Sequence, residues 1–309
     1  MTLRIGTRGS PLALAQAYDV RARLIAAHGL EDEAVTIHVI KTSGDIILDR
    51  PLSEVGGKGL FTKEIEEALL ADEIDLAVHS MKDVPTVLPK GLTISTILER
   101  EDVRDAFISL KYTSLDAMPP GAVVGTSSLR RQAQVKRARP DLQVVNFRGN
   151  VQTRLRKIAD GVADATFLAV AGLNRLGMPE QATAAISTGT MLPAVAQGAV
   201  GIEIRLSDAK TLEALAPLNH PQTAICVTAE RAFLAKLEGS CRTPIAGLAE
   251  LTATGLNFRG QILTPDGSGC FDTARAGPTA EAEQIGIAAA QDLLDRAGPE
   301  FFAALGLAH

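Results

Sequence analysis

Short apolar runs alternate with polar turns and helical patterns along the chain as far as Pro217. The first run, Leu3–Gly6, is followed by a polar turn and then by apolar residues at a helical spacing. Ser10 is a suitable N-cap for this helix, and Pro11 suits its first turn because the missing N–H has no helical partner there. The pattern therefore predicts a strand, a short loop and a helix at the start of the chain.

Four further apolar runs end in polar or glycine-containing loops. The predicted strands are Ile74–Val78, Val123–Gly125, Val144–Phe147 and Thr166–Val170. Helical patterns begin at Leu129 and span Val151–Ala159. Repeated units of this kind predict an α/β fold with a mainly parallel sheet.

The pattern changes after Pro217. One helix ends at Gly239, strand-like runs flank a turn at Pro265–Gly267, and Glu281–Leu294 has an amphipathic pattern, which together predict a small α+β domain. With a crossover near Glu99–Arg104, the expected domains are α/β domain 1 at 1–99 with 200–217, α/β domain 2 at 100–199 and the α+β domain at 218–309. Ligands of such folds bind where the strands end, so we expect a cleft between the two α/β domains.

The composition, with 46% hydrophobic and 22% charged residues in 309, excludes a largely disordered chain. The first residues do not resemble a signal peptide and no run approaches about 18 apolar residues, so we expect a cytoplasmic protein without membrane association. Neither the five histidines nor the cysteines Cys226, Cys241 and Cys270 show the spacing of a metal site, and we expect no metal. We expect Cys241 to be the more reactive thiol, because it lies in a loop beside Arg242.

Positive charge is concentrated in one segment, although the net charge of the chain is −5. Residues 126–157 contain nine basic side chains and one acidic side chain. A nucleic-acid interface would need aromatic platforms among the basic residues, and the segment offers only Phe147, so we expect no nucleic-acid partner. A small ligand with several oxyanions fits better, because arginine contacts carboxylate or phosphate through a planar fork.

Arginine and hydroxyl side chains follow three of the predicted strands. Such loops suit anions, because they place free backbone N–H groups and a positive helix end at one point. The residues are Arg8 with Ser10, Thr126, Ser127 and Ser128 with Arg130 and Arg131, and Arg148 with Arg154 and Arg156. The alternative is a solvated helix surface, and we favour it for Arg137 and Arg139. For Arg130, Arg131, Arg148 and Arg154, which lie in or just after these loops, we favour an anion site.

Lys82 and Asp83 come directly after a predicted buried strand, which would hold them rigidly at a cleft. A carboxylate there can stabilise a cationic intermediate or move a proton, and the alternative is a surface ion pair. We interpret His79 as a satisfied strand residue. Segment 45–61, with Lys58 among glycines, fits either a mobile loop that closes over a site or a plain surface loop.

Eight motifs, in the same order along essentially the whole chain, resemble those of the porphobilinogen deaminase family. They are VGGKGLF at 55–61, DLAVHSMKDVP at 75–85, EREDVRDAF at 99–107, VGTSSLRRQAQ at 124–134, FRGNVQTRL at 147–155, LAVAGLNRLG at 168–177, LPAVAQGAVGIE at 192–203 and LEGSCRTPI at 237–245. The stretch beyond about residue 250 matches weakly.

The resemblance implies two α/β domains of the type II periplasmic-binding class and a small third domain with a cysteine on a loop. That cysteine is Cys241, and the resemblance implies that it carries a covalent dipyrromethane cofactor. This primer is extended by four porphobilinogen molecules with loss of ammonia, giving hydroxymethylbilane. The resemblance also implies a monomer without a stable protein partner.

The resemblance also implies roles for individual residues. Asp83 is the implied catalytic aspartate, with Lys82 beside it. The implied cofactor-binding residues are Lys82, Asp83, Thr126, Ser128, Arg130, Arg131 and Arg148. The implied substrate-binding residues are Arg8, Ser10, Lys58, Arg148, Arg154 and Arg175. One departure is Glu54, which stands where relatives often carry lysine. A non-catalytic solute-binding or effector-sensing module on the same two-lobed fold is the alternative of a different class.

Overall fold

The computed structural model describes residues 2–46, 59–239 and 243–305. Within these residues the chain forms two compact units. Unit 1 contains residues 2–46, 59–101 and 198–224, and unit 2 contains residues 102–197, 225–239 and 243–305. The predicted division into three domains stays a prediction.

Strands and helices alternate through most of the chain. The strands are β1 (Leu3–Thr7), β2 (Val35–Val39), β3 (Leu76–Ser80), β4 (Leu92–Ile97), β5 (Asp105–Ile108), β6 (Val123–Gly125), β7 (Gln143–Val145), β8 (Ala165–Ala169), β9 (Ala184–Ala185), β10 (Val200–Arg205), β11 (Ile245–Thr252), β12 (Gly255–Leu263) and β13 (Cys270–Gly277). The α-helices are α1 (Pro11–His28), α2 (Ser43–Ile46), α3 (Lys63–Leu70), α4 (Leu129–Ala138), α5 (Val151–Ala159), α6 (Val170–Arg175), α7 (Ala209–Leu215), α8 (Pro221–Lys236) and α9 (Ala282–Ala304).

The sheet of unit 1 has the strand order β2-β1-β3-β10-β4. Strands β1, β2 and β3 are parallel, whereas β10 runs antiparallel to both of its neighbours, so the sheet is mixed. Strand β10 (Val200–Arg205) is buried on both faces, and its sequence is a nearly continuous apolar run. Such a run does not indicate whether the strand is parallel or antiparallel to its neighbours. The strand predicted at Ile74–Val78 begins two residues later, at Leu76, and ends at Ser80.

The larger sheet of unit 2 repeats this arrangement in the order β7-β6-β8-β5-β9. Strands β6, β7 and β8 are parallel, and β5 is antiparallel to β8 and β9. The predicted strand Val123–Gly125 and helix Val151–Ala159 are confirmed at those bounds, and the other two strands are confirmed within two residues. Phe107 and Phe167 pack edge to face at the centre of the core.

The C-terminal part of unit 2 is an antiparallel sheet in the order β11-β12-β13, against which α9 packs. The turn predicted at Pro265–Gly267 joins β12 to β13. It lies on α4, since a Cβ on Gly267 would stand 2.7 Å from Ala133 O. Helix α9 is longer than predicted, with a kink at Gly298 before Pro299. Among the described residues we find no helix that is both long and apolar enough to cross a membrane.

Candidate active site

The loops after β1 and β3 place Arg8 and Asp83 together in unit 1. Because β1 and β3 are parallel neighbours, their carboxyl ends meet at one edge of the sheet. Arg8 Nη1 lies 3.9 Å from Asp83 Oδ2, and about a third of the Asp83 side chain is exposed. Lys82 and Asp83 occupy one 3₁₀ turn directly after β3. The structure thus confirms that this pair follows a buried strand.

The N-terminus of α1 lies at the same edge. Ser10 caps this helix as predicted, with its hydroxyl accepting from Ala13 N at 3.3 Å. One turn further on, the amide of Gln16 donates to Ser80 Oγ at 2.8 Å. Unit 1 therefore presents a helix N-terminus, a guanidinium and a carboxylate at one place, a combination suited to a ligand with both anionic and N–H groups.

Phe61 packs against the Arg8 guanidinium. The Arg8 guanidinium lies 4.2 Å from the centre of the Phe61 ring, within the range of a cation–π contact. Gly44 N donates to Leu60 O at 2.8 Å, so these two described residues are in direct contact. Lys58, Glu54 and most of this segment lie outside the described residues.

A small pocket of about 60 Å³ reaches inward from Asp83. This volume is enough for ordered water. The lining residues are Arg8, Ser10, Leu12, Ala13, Gln16, Phe61, Thr62, Val78, His79, Ser80 and Asp83. A much larger cavity of about 980 Å³ lies in the same unit, lined by residues such as Arg4, Asp75 and Arg205, but it includes none of the predicted site residues.

Three buried titratable residues lie beside the pocket, and the sequence analysis found only one of them. His79 Nε2 is 3.0 Å from Glu203 Oε2, so His79 is a satisfied strand residue, as predicted. Glu66, on α3, is only 7% exposed, and its pKa is raised by burial and by the charge of Glu203. The sequence did contain a signal for Glu66 and Glu203, because each is an acidic residue within the apolar pattern of its element, α3 or β10. Such residues attract attention since buried carboxylates are uncommon.

In unit 2 the loops after β6 and β7 join at one edge of the sheet. Thr126 N donates to Val145 O at 3.0 Å, and Phe147 N donates to Ser127 Oγ at 3.0 Å. Ser128 caps α4, and Asn150 caps α5. Two helix N-termini with hydroxyl and arginine side chains therefore follow neighbouring parallel strands, an arrangement suited to anions.

Arg130 and Arg131 are buried at the start of α4 and share one carboxylate. Their guanidinium groups lie 2.8 and 2.7 Å from the two oxygens of Asp105, which is fully buried. Burial alone would raise the pKa of Asp105, but the two arginines outweigh it and hold that pKa well below the ordinary value. Two cations against one anion leave a net positive charge behind the Thr126 and Ser128 loop.

Three further predicted arginines lie after β7 and β8, all of them half-buried. Arg148 is in the loop before α5, and its carbonyl accepts from Lys157 Nζ at 3.1 Å. Arg154 donates from Nε to Gly149 O at 2.8 Å, which ties α5 to the same loop. Arg175 ends α6, a short helix that directly follows β8. Their positions after parallel strands agree with an anion-binding edge in unit 2.

The two arginines that we expected to face solvent differ. Arg137 is exposed, as predicted. The prediction for Arg139 is wrong: its guanidinium donates to Leu115 O at 2.9 Å and to Met118 O at 2.8 Å, and it pairs with Asp141 at 2.6 Å. Arg139 thus joins the end of α4 to the 115–118 turn, a structural role that helix spacing alone could not show.

The cysteines of the described residues are poor nucleophiles. Cys226 is buried in α8, and Cys270 begins β13 half-buried. Burial and the nearby Asp272 raise the pKa of Cys270 to about 11. Cys241 lies outside the described residues. Within 2–46, 59–239 and 243–305, no cluster of histidine, cysteine, aspartate or glutamate could hold a metal ion.

Two family models match the chain. Residues 3–213 match the model described as porphobilinogen deaminase, dipyromethane cofactor binding domain, and residues 224–295 match the porphobilinogen deaminase C-terminal domain. The porphobilinogen deaminase of Paracoccus denitrificans is 60% identical over 97% of this chain and 96% of its own length. The protein of that name from Nitrobacter winogradskyi is 56% identical over 96% and 94%. The chloroplastic porphobilinogen deaminase of Oryza sativa is 55% identical over 98% and 86%.

Solved structures of low identity also align with the chain. A periplasmic substrate-binding protein of an ABC transporter from Coxiella burnetii aligns with a TM-score of 0.44 and 15% identity, over 72% of this chain and 94% of that chain.

Proposed function

This chain belongs to the porphobilinogen deaminase family, a family of hydroxymethylbilane synthase transferases, and we propose that Asp83 is its catalytic carboxylate. Its substrate is porphobilinogen, and its cofactor is the dipyrromethane for which the matched domain is described. The observation that carries the proposal for Asp83 is its placement in a 3₁₀ turn beside Arg8, at the edge where three parallel strands end.

The donors in unit 2 fit a cofactor that bears several carboxylates. Each of the N-termini of α4 and α5 offers backbone N–H groups, and Thr126 and Ser128 add hydroxyl groups. Arg130 Nε is a buried donor without a hydrogen-bond partner in the described part of the chain, so the edge keeps unused donor capacity. When bound, dipyrromethane supplies the terminal pyrrole to which the first substrate unit is joined.

The residues proposed to hold the cofactor follow from these positions and from the family. Cys241 binds it covalently, and Lys82, Asp83, Thr126, Ser128, Arg130, Arg131 and Arg148 interact with its pyrrole and carboxylate groups. Because Arg130 and Arg131 are already paired with Asp105, their main contribution is positive potential behind the α4 N-terminus. Arg148 is less buried and suits direct forked contact with a carboxylate.

Asp83 and Arg8 act on the substrate from unit 1. The Asp83 carboxylate accepts a hydrogen bond from the substrate pyrrole N–H and stabilises the cationic azafulvene that forms as ammonia leaves. Arg8, held by Phe61, binds a carboxylate side chain of the substrate together with Ser10. Arg154, Arg175 and Lys58 are proposed to bind substrate carboxylates as well.

The change Asp83→Asn tests the catalytic assignment. We expect the cofactor to attach normally and turnover to collapse, because the amide is neutral and cannot stabilise a cation. Asp19→Asn is the matched control, since Asp19 is half-exposed on α1 and pairs only with Arg23 among the described residues. Near-normal turnover of the Asp83→Asn variant would remove Asp83 from the catalytic role.

Intact-protein mass spectrometry tests the cofactor assignment. We expect the native chain to carry the mass of two pyrrole units, the Cys241→Ala variant to carry none, and the Cys270→Ala variant to keep it. An active native chain without added mass would contradict the proposal. A cytoplasmic monomer that works without metal, nucleic acid, membrane or a stable protein partner remains part of the proposal.

A further inference from the structure

Glu66, Glu203 and His79 form a buried acidic cluster under the pocket that contains Asp83. Glu203 is fully buried in β10, and His79 is 5% exposed in β3. Glu66 follows Thr62 by one helical turn, with its N–H donating to Thr62 O at 2.8 Å. His79 and Thr62 both line the pocket, so the cluster borders the same small space as the Asp83 carboxylate.

Some of the buried carboxylate oxygen atoms in the cluster have no hydrogen-bond donor. Among the described residues, Glu66 Oε1 and Glu203 Oε1 are buried without a hydrogen-bond partner, although the Thr62 hydroxyl lies close enough to Glu66 to lower its pKa. Such atoms are rare in folded proteins and are expected where a carboxylic acid keeps a proton or exchanges one with ordered water. The cluster therefore places two buried carboxyl groups and an imidazole close together beside the pocket, where two neighbouring charged carboxylates would destabilise one another.

Other charged groups of unit 1 are paired with residues outside the cluster, although the charge of Glu64 also raises the pKa of Glu66. Glu64, also on α3, binds the backbone and hydroxyl of Ser43. Arg205 of β10 pairs with Asp72, Asp75 and Asp208. Arg4 of β1 pairs with the first two of these aspartates. Strand β4 has no charged residue, and Arg8 and Asp83 face the pocket itself.

The reaction must dispose of one proton for each unit added. The substrate aminomethyl group enters as an ammonium group, and its C–N bond breaks so that the bonding electron pair leaves with ammonia. A new C–C bond joins the methylene carbon to the α-carbon of the preceding pyrrole. The C–H bond at that α-carbon then breaks, and its electron pair restores the ring while the hydrogen leaves as a proton. A base near Asp83 has to accept this proton.

We propose that the Glu66, Glu203 and His79 cluster accepts the proton released by each condensation, through water in the pocket beside Asp83, and returns it to solvent before the next addition. The cluster thus acts on the substrate through water, and its residues position and hold a proton without touching the reacting carbon. The inference rests on the proposed role of Asp83 in the same reaction. General base assistance of this kind typically accelerates a step by about 10²–10⁴.

Infrared spectroscopy of the native protein is the first test, and it does not depend on activity. We expect the C=O stretching band of a protonated carboxyl group at neutral pH, lost in Glu66→Gln or shifted in Glu203→Gln. Glu67→Gln is the matched control, because Glu67 is the exposed neighbour of Glu66 on α3, and its band pattern should be that of the native protein. The inference would be overturned if the native protein showed no protonated carboxyl band. It would also be overturned if neither Glu66→Gln nor Glu203→Gln changed that band.

Chemical rescue is the second test. We expect kcat of Glu66→Gln to fall at least about tenfold with little change in KM, because a proton can no longer move between Glu66 and the other members of the cluster. Added imidazole buffer should restore much of it, because an external base then takes up the released proton. Glu67→Gln should show neither effect. A kcat that falls without rescue in both Glu66→Gln and Glu203→Gln, each with native thermal stability, would show a merely structural cluster. Failure of the Asp83 assignment would give a different result. The Asp83→Asn variant would then turn over normally while the infrared band of the cluster stayed intact.

Discussion

Arg131 donates from both Nε and Nη2 to the same oxygen of Asp105, at 3.2 and 2.7 Å. Both side chains are almost fully buried, and Gln197 Nε2 donates to that oxygen as well, at 3.0 Å. Arg130 occupies the other side of the carboxylate. Asp105 is therefore the single anion among the described residues that compensates two buried cations at the start of α4.

Removing this anion should destabilise unit 2 strongly. We expect Asp105→Asn to lower the free energy of unfolding by about 3–5 kcal/mol, because two buried guanidinium groups lose their counterion. Urea unfolding measures the change. Asp141→Asn serves as the control, since about a third of the Asp141 side chain is exposed whereas Asp105 is fully buried, and its urea midpoint should move far less. Equal midpoints for the two variants would show that the buried pair adds nothing.

The same carboxylate predicts a dependence of stability on acid. Burial raises the pKa of Asp105, but the opposite effect of Arg130 and Arg131 is larger. The pKa of Asp105 in the folded protein therefore lies below its value in the unfolded chain. Its contribution is thus fully present above about pH 4 and is lost as pH falls toward the folded value. We expect the free energy of unfolding of the native protein to fall more steeply below about pH 4 than that of Asp105→Asn. Parallel curves from acid titrations would contradict this.

The turn between β12 and β13 should tolerate no side chain at Gly267. Its φ is +73°, and a Cβ there would stand 2.7 Å from Ala133 O and 2.9 Å from the carbonyl carbon of Lys136, within the backbone of α4. Gly177 has a similar φ of +65° but no atom within 4 Å of a Cβ. We expect Gly177→Ala to cost about 1 kcal/mol from strain alone and Gly267→Ala about 1–3 kcal/mol more, measured by thermal unfolding.

The sequence identifies the position of the elements better than their pairing. Ser10 was recognisable as an N-cap from local chemistry, and Val123–Gly125 was recognisable as a strand from its apolar pattern. The direction of β10 depends on which strands it meets more than a hundred residues earlier, which local patterning does not contain. Helix spacing likewise favours a solvent-facing position for Arg139, and this prediction is wrong because spacing does not contain the carbonyl groups of the 115–118 turn that Arg139 binds.

The candidate site shows the same limit. Family motifs are the basis of the proposal for Asp83 and the arginines, and their loops lie where the strands end. The ion pairs of Arg130 and Arg131 with Asp105 required the antiparallel placement of β5 beside β8, which the sequence did not predict. The burial of Glu66 and Glu203 depends in the same way on how α3 packs on the sheet.

Cys270 should be slow to react at neutral pH. Because burial and Asp272 raise its pKa to about 11, the thiolate is a minor form in neutral solution. In the Cys241→Ala variant we expect its alkylation rate by iodoacetamide to rise about tenfold for each pH unit above neutral, before levelling near pH 11. Peptide mass spectrometry follows the site. A rate that levels off below pH 9 would place the thiol in a different environment.

Replacing Arg148 with lysine should weaken substrate or cofactor binding. Lysine keeps the charge but loses the forked geometry, which removes one of two hydrogen bonds to a carboxylate. We expect Arg148→Lys to raise KM for porphobilinogen by about tenfold, equivalent to about 1.4 kcal/mol. Arg137→Lys, at an exposed position on α4, should leave KM unchanged. Steady-state kinetics with matched cofactor loading compares the two, and equal KM values would argue against a forked contact.

The position of β10 between β3 and β4 has a consequence for synthesis on the ribosome. The nascent chain delivers β1 to β4 early, yet these strands cannot close into one sheet until residues 200–205 have emerged. In the meantime β3 and β4 each present an unpaired edge, the kind of surface that promotes aggregation. A chaperone that shields such edges during translation would therefore be most useful to this protein before its last third has been made.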